Sequence, residues 1–192
     1  MVTLASVVAG EEGTFIEAAR ALLQHPNPPF VIWVPRAPEL FGETVERLRD
    51  EGFRVKARSK CFDDALSLVQ PLEDCDILVG DSLNEMFFYL APANAVVVGG
   101  GFVEKGAHNV IEPLSLGKPV ITGPHVWTIE YPAVEAQAAG VLTICHEPAM
   151  LEETVRSVME EGSVSAQGFH EANQGASERI FEAVRPLLGG VQ

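Results

Sequence analysis

The chain has 192 residues and a formal net charge of −14 at neutral pH, with 13 lysines and arginines against 27 aspartates and glutamates. Hydrophobic residues make up 47% and charged residues 21%, which is typical of a globular protein and excludes a disordered one. The acidity and the scattered basic residues exclude nucleic acid as a partner. Because no apolar run approaches the roughly 18 residues of a membrane span, we expect a soluble chain without direct membrane insertion.

The cysteines and histidines carry no metal-binding pattern. Cys61, Cys75 and Cys145 form no CxxC pair, and the five histidines form no HExxH motif. We therefore expect no bound metal ion, and free thiols as in a reducing cytoplasm.

Apolar, β-branched segments alternate along the chain with segments whose apolar residues recur at helical spacing. The predicted strands are residues 2–8, 30–34, 53–57, 76–79, 95–98, 119–122 and 141–145. The predicted helices are residues 14–24, 38–51, 82–90, 109–116, 129–139, 148–161 and 175–188. Residues 58–75 are ambiguous, and a helical turn is one interpretation of residues 63–69.

This alternation, without any hairpin signature, predicts a Rossmann-like α/β fold. It is an open parallel sheet of about six strands with helices on both faces, and residues 53–57 form a short edge-like strand. No linker or repeat divides the chain, so residues 1–192 are predicted to be one domain. Such sheets bind ligands beyond the carboxyl ends of their strands, which directs attention to the loops that follow them.

The loop after the first strand reads AGEEG and does not match the GxGxxG pattern. Glu11 and Glu12 stand where a dinucleotide pyrophosphate would bind, and their carboxylates would repel it. The sequence also contains no GxxxxGK[ST] and no GxSxG motif. These observations disfavour an NAD-type site, a P-loop enzyme and an α/β-hydrolase.

Two further loops hold candidate ligand contacts. In VPRAPEL, Arg36 follows a buried strand, where it either caps the sheet edge or binds an anion or a base. After the DILVG strand, Ser82 and Glu85 match an S-x-x-E capping box, which would explain both residues without a ligand. The same capping box would place the amides of residues 84–86 in the first turn of a helix, where they can face a ligand.

The segment GGGFVEKGAHNVIEPLSLGKP, residues 99–119, contains the densest group of candidates. Glycines leave a buried strand there, and Asn109 and Glu112 can form a second capping box. Lys105, His108, Asn109 and the beginning of a helix converge at one strand end, which is the geometry of an anion site. Glu112 is then a candidate partner for ribose hydroxyls, whereas His108 alone is more typical of a loop histidine.

Five segments, in this order, resemble the C-terminal half of 3-deoxy-D-manno-octulosonic acid (Kdo) transferases: ASVVAGEEG, VPRAPEL, GDSLNEM, GGGFVEKGAHNVIEP and GKPVITGPH. The resemblance covers nearly the whole chain, and its HN-x-x-EP block is the most specific part. It implies the C-terminal Rossmann-like half of a GT-B glycosyltransferase, which binds the donor CMP-Kdo. It also implies an N-terminal acceptor domain outside this chain.

That N-terminal domain is expected to bind the lipid A precursor, to carry the membrane anchor and to supply the catalytic base. The full-length enzyme would then work in lipopolysaccharide biosynthesis at the cytoplasmic face of the inner membrane. We therefore expect no catalytic residue in this chain, an isolated domain that is inactive, no cofactor, and CMP or CMP-Kdo as the ligand. The resemblance implies donor-nucleotide contacts at Arg36, Ala37, Asn84, Glu85, Met86, Asn109, Val110, Ile111 and Glu112, with a second tier at Gly100, Gly101, Lys105 and His108.

The chain departs from the family pattern at several positions. Ala37 stands for the histidine of VPRHPER, Asn84 and Ala107 stand for glycines, Gly101 stands for serine and Val110 stands for proline. Two alternatives remain open at this point. The chain could be the donor domain of another GT-B enzyme, which uses a UDP-sugar as a transferase or a 2-epimerase-like enzyme. It could also be a non-catalytic α/β interaction domain whose glycines are only structural.

Overall fold

Seven strands form one parallel sheet in the structure, a computed structural model that describes residues 1–161 and 166–188. The strands are β1 (Val2–Val7), β2 (Val31–Pro35), β3 (Val55–Ala57), β4 (Ile77–Val79), β5 (Ala95–Val98), β6 (Val120–Thr122) and β7 (Leu142–Ile144). The helices are α1 (Glu12–Leu23), α2 (Phe41–Asp50), α3 (Arg58–Cys61), α4 (Met86–Leu90), α5 (Ile111–Ser115), α6 (Glu130–Ala138), α7 (Leu151–Glu161), α8 (Ala166–Asn173) and α9 (Ala176–Val184). The predicted open parallel sheet is confirmed, with seven strands instead of about six.

The order of the strands across the sheet is β3-β4-β2-β1-β5-β6-β7. The chain passes from β1 to β2 on one side, and after β4 it crosses to β5 on the other side of β1. This reversal beside β1 is the topological switch point, where open α/β sheets bind their ligands. β3 lies at an edge, as the sequence predicts for residues 53–57.

The central strands are buried on both faces because helices cover the sheet on both sides. β2 and β5 are buried at every position, as expected for continuous apolar runs in a parallel sheet. On one face the core contains Phe15 from α1 and Trp33 from β2, whose rings meet edge to face at 5.9 Å. On the other face, Val96 and Val98 pack with Leu114 of α5 and with α6.

The structure differs from the sequence prediction mainly where helices begin and end. α4 begins at Met86, not at residue 82, and α5 covers only Ile111–Ser115 instead of residues 109–116. Residues 63–69 form no helical turn, because Phe62 and Leu68 close this segment with an antiparallel bridge. α3 and α8 were not predicted, and a short 3-10 helix, Arg185–Leu188, completes the last predicted helix.

Two kinds of feature are absent from the described residues. Within residues 1–161 and 166–188, no helix has the length and apolarity that crossing a membrane requires. In the same part of the chain, no group of three or more histidines, cysteines, aspartates or glutamates is placed to hold a metal ion.

Candidate functional site

A cavity of about 450 Å³ opens at the carboxyl edge of the sheet, beside the switch point. Its volume lies in the roughly 300–1,000 Å³ range of small-molecule sites. Three segments form its walls: the end of β2, the loop before α4, and the loop that leads into α5. The lining residues are Ser6, Val34, Pro35, Arg36, Phe41, Ser82, Leu83, Asn84, Glu85, Met86, Tyr89, His108, Asn109 and Glu112.

Arg36 provides the positive charge of the cavity. Its backbone amide donates to the carbonyl of Val7 at 2.9 Å, which extends the pairing of β1 and β2 by one residue and fixes its position. All nine arginines lie in the described part of the chain, and every other guanidinium has a carboxylate, carbonyl or imidazole partner. The exposed guanidinium of Arg36 has no such partner among the described residues, so its donors are available to a ligand.

The loop of residues 82–85, which we call the 82–85 loop, forms the second wall. The capping box predicted for it is not formed: Glu85 is the N-cap of α4 without a side-chain cap, and the Ser82 hydroxyl bonds the Glu85 carboxylate instead. Asn84 adopts a left-handed conformation with φ of 61°. The family pattern that the sequence resembles has glycine at this position, and asparagine is among the few other residues that tolerate such a backbone.

Asn109 and Glu112 belong to the third wall. The Asn109 side-chain carbonyl accepts a hydrogen bond from the amide of Ile111 at 2.9 Å, but the N-cap of α5 is Val110 and not the predicted Asn109. The reciprocal half of the predicted box is not formed, since the Glu112 carboxylate has no hydrogen-bond or ion-pair partner among the described residues. Glu112 therefore presents two free acceptor oxygens to the cavity.

His108 lies between these walls. Its Nε2 is buried and lacks a hydrogen-bond partner within the described residues, and its backbone amide donates to the carbonyl of Gly99 at 3.0 Å. Burial, assisted by the positive charge of Arg36, lowers the pKa of His108 below its ordinary value. The imidazole is therefore neutral at pH 7, and an anion bound beside Arg36 would raise its pKa again.

The glycine-rich turn after β5 holds a carboxylate of the chain itself. Glu11, which is 1% exposed, accepts hydrogen bonds from the amide of Gly100 at 2.8 and 2.9 Å and from the amide of Val8 at 3.0 Å. Burial raises the pKa of the Glu11 carboxyl, while these backbone hydrogen bonds oppose the rise. Since Glu11 fills the place where a dinucleotide fold binds pyrophosphate, the geometry agrees with the absence of a GxGxxG motif.

The cavity brings together seven of the predicted site residues: Arg36, Asn84, Glu85, Met86, His108, Asn109 and Glu112. The other six do not line it. Val110 is fully buried beneath it, and Ile111 points outward and is half exposed. Lys105 donates to the carbonyl of Ala9 at 2.7 Å. The remaining three are Ala37, Gly100 and Gly101.

Sequence reasoning did not identify several lining residues. Ser6 interrupts β1 with φ of 57°, at a register shift between Ala5 and Val7 that no sequence motif indicates. Phe41 and Tyr89 are ordinary apolar positions of predicted helices, and only the tertiary fold brings them to the cavity. The site as a whole combines one free guanidinium, one free carboxylate and a neutral imidazole, which suits a small ligand with an anionic group and hydroxyls.

Comparisons with known proteins identify several that are similar to this chain. No protein-family model matches it. It is 34% identical to a 3-deoxy-D-manno-octulosonic acid transferase of Bordetella pertussis, over 98% of this chain and 45% of that protein. A protein of the same name from Haemophilus influenzae is 30% identical over 96% of this chain and 43% of its own length. The chain thus spans less than half the length of these curated relatives.

Solved structures agree on the fold. The C-terminal CMP-Kdo binding domain of WaaA from Acinetobacter baumannii superimposes with a TM-score of 0.74 at 24% identity, covering 98% of this chain and 89% of that one. WaaG, a glycosyltransferase involved in lipopolysaccharide biosynthesis, gives a TM-score of 0.52 at 13% identity, over 98% of this chain and 47% of its own. The chain is therefore a relative of Kdo transferases with the fold of a GT-B glycosyltransferase domain.

Proposed function

We propose that this chain is the donor-binding half of a Kdo transferase, which moves Kdo from CMP-Kdo to a lipid A precursor in lipopolysaccharide biosynthesis. The observation that carries the proposal is that one cavity of nucleotide size is lined by a guanidinium, Arg36, and a carboxylate, Glu112, that have no partner among the described residues. The similarity to curated Kdo transferases over nearly the whole chain supports the same donor.

Each wall of the cavity has a role in this proposal. Arg36 contacts the CMP moiety, the 82–85 loop and Met86 line the nucleotide pocket, and Glu112 accepts hydrogen bonds from the ribose hydroxyls. The first turn of α5, which follows Asn109, faces the phosphate. CMP has a single phosphate, so a guanidinium with backbone amides is sufficient to hold it without a divalent cation.

The donor half orients the sugar and stabilises the phosphate that leaves with CMP. Under this proposal the rest of the reaction belongs to an N-terminal acceptor domain of the kind that the longer relatives have room for. That domain would bind the lipid A precursor at the cytoplasmic face of the inner membrane and supply the base that activates the acceptor hydroxyl. This chain would then contain no catalytic residue and be inactive alone.

Calorimetric titration of the chain with CMP, UMP and UDP tests the proposal. We expect CMP to bind more tightly than UMP or UDP, and Arg36→Gln to weaken CMP binding about 10- to 100-fold, as the loss of a charged hydrogen bond does. Arg49→Gln removes an exposed arginine of α2 and is the matched control, with no change expected. A preference for UDP would point to a UDP-sugar enzyme, and the absence of any nucleotide binding would point to an interaction domain.

A further inference from the structure

An ion pair joins the 82–85 loop to a buried arginine of α3. Arg58, the first residue of α3, has a side chain that is only 6% exposed, and its Nη2 lies 2.5 Å from Oε1 of Glu85. The same nitrogen donates to the carbonyl of Asp63 at 3.2 Å. Arg58 is not among the residues that line the cavity, so it would act on a ligand only through another residue.

The second oxygen of Glu85 is also engaged. Oε2 accepts a hydrogen bond from the Ser82 hydroxyl, which is in turn bonded to the Tyr89 hydroxyl. Burial is the main cause that raises the pKa of Tyr89 to about 12, so this phenol stays protonated and can donate. Both oxygens of Glu85 are therefore held by the protein, although the residue lines the cavity.

A second connection joins the same two segments. Asp81, just before the 82–85 loop, accepts hydrogen bonds from the Ser59 amide at 2.8 Å and from the Ser59 hydroxyl at 2.5 Å. The loop is thus attached to α3 at both of its ends, through Ser59 and through Arg58. Between these two attachments lies Asn84, whose left-handed backbone is a conformation that surrounding contacts have to maintain.

We propose that Arg58 is a positioning residue that, through Glu85, holds the 82–85 loop in the shape that binds the donor nucleotide. This inference rests on the proposed function, because it concerns the same cavity. It assigns Glu85 a different role from the direct contact that the sequence predicts. A glutamate with a free oxygen could accept a hydrogen bond from the amino group of cytosine, whereas the two oxygens of Glu85 are already bonded to Arg58 and Ser82.

Two variants of Glu85 separate these roles. Glu85→Gln keeps an acceptor for Arg58 and a polar group for Ser82, so we expect CMP affinity within about 3-fold of the unmodified chain and an unchanged preference for CMP over UMP. Glu85→Ala leaves Arg58 buried without its partner, and we expect at least a 10-fold loss of CMP affinity. A direct contact predicts instead that Glu85→Gln loses the preference for CMP.

Arg58→Gln is expected to match Glu85→Ala, and the double variant is expected to be no weaker than either single one, because both break the same link. The control for Arg58→Gln is Arg54→Gln, which breaks an ion pair at the opposite end of β3. All affinities are measured at a temperature where unfolding curves show a folded protein. A merely structural pair would lower the melting temperature but leave the affinity of the folded molecules unchanged.

Ser59→Ala keeps the test decisive if Arg58→Gln does not fold, because Ser59 is exposed and its loss removes only the second attachment. We expect it to weaken CMP binding about 3-fold. Full affinity in folded Glu85→Ala and Ser59→Ala overturns the positioning role. Failure of the proposed function is a separate result, since the unmodified chain would then not bind CMP at all.

Discussion

Two ion pairs join the neighbouring strands β3 and β4 from opposite ends of the sheet. Arg54, before β3, pairs with Asp76, before β4, while Arg58 and Glu85 pair after the same strands. Both pairs have a closest nitrogen–oxygen distance of 2.5 Å, yet the Arg54 side chain is 61% exposed and that of Arg58 only 6%. The two ion pairs therefore have the same closest distance, but their arginine side chains differ greatly in solvent exposure.

This difference in exposure corresponds to the positions of the two pairs, one at the amino end of the strands and the other at the carboxyl end, where the cavity lies. At the amino end, water screens the pair and can replace either partner, so it contributes little to the free energy of unfolding. At the carboxyl end, the Arg58 side chain is surrounded by protein, although Glu85 at 22% is about as exposed as Asp76 at 21%, and removal of Glu85 leaves the guanidinium desolvated. Of the left-handed non-glycine residues in the described part of the chain, Ser6 and Asn84 line the cavity at the carboxyl end, whereas Leu66 does not line it.

Among the variants that test the contrast between the two ends of the sheet, Gly99→Ala at the carboxyl end is expected to lower stability most. A Cβ at Gly99 would lie 2.4 Å from Oε1 of Glu11 and 2.5 Å from the carbonyl of Ser6, and neither neighbour can move freely. We expect a loss of about 3 kcal/mol or more in the free energy of unfolding, measured by urea denaturation. Gly13→Ala, in α1 with open space around it, is the control and should not destabilise the protein.

The two ion pairs themselves give the next largest effect. Arg58→Gln is expected to lower the free energy of unfolding by about 3 kcal/mol, because it leaves Glu85 without its charge partner. Arg54→Gln is expected to have a much smaller effect, which 1 M salt should reduce further. Equal losses in urea denaturation of the two variants would remove the contrast between the two ends.

Gly52→Ala measures how much a left-handed backbone costs in stability at the amino end of the sheet, where an added Cβ would meet open space. Gly52 ends the turn between α2 and β3 with φ of 88°, and a Cβ there would meet no atom within 4 Å. The cost should therefore be the backbone strain alone, about 1 kcal/mol in the free energy of unfolding. A thermal or urea midpoint as low as that of Gly99→Ala would contradict the contrast.

The smallest expected effect is the pH dependence of stability. Because the folded state lowers the pKa of His108, the unfolded chain binds a proton more readily, and stability falls as the pH drops below about 6.5. Arg54 lowers the pKa of Asp76, so the stability from that pair is present above pH 3.8 and is lost only at lower pH. Urea denaturation between pH 7 and 5 should show the loss, and His108→Gln should reduce it.

The fold could be predicted from the sequence because the signals for strands and helices are local. Apolar runs such as residues 95–98, alternating with amphipathic segments, were sufficient to predict a parallel sheet with helices on both faces, and all seven strands lie where they were predicted. Helix boundaries were less accurate at residues 82 and 109. The polar residues there bond side chains or loop amides, so the short helices begin two to four residues later.

Local sequence signals also predicted part of the candidate site. Arg36, Asn109 and Glu112 were found because they follow buried strands or begin a helix, and these positions are visible in the sequence. The glycine-rich turn was assigned to a ligand, but its Gly100 amide binds Glu11, which is 89 positions away in the chain. No local pattern reveals such a partner.

The sequence alone thus determined the class of fold, the loops that form the cavity and, through its resemblance, the family to compare. Only the tertiary structure decided which charges remain available to a ligand. Arg36 and Glu112 have no side-chain partner among the described residues, while Arg58 and Glu85, 27 positions apart in the chain, form an ion pair. Pairing between charges depends on distance and desolvation in three dimensions, and a linear pattern contains neither.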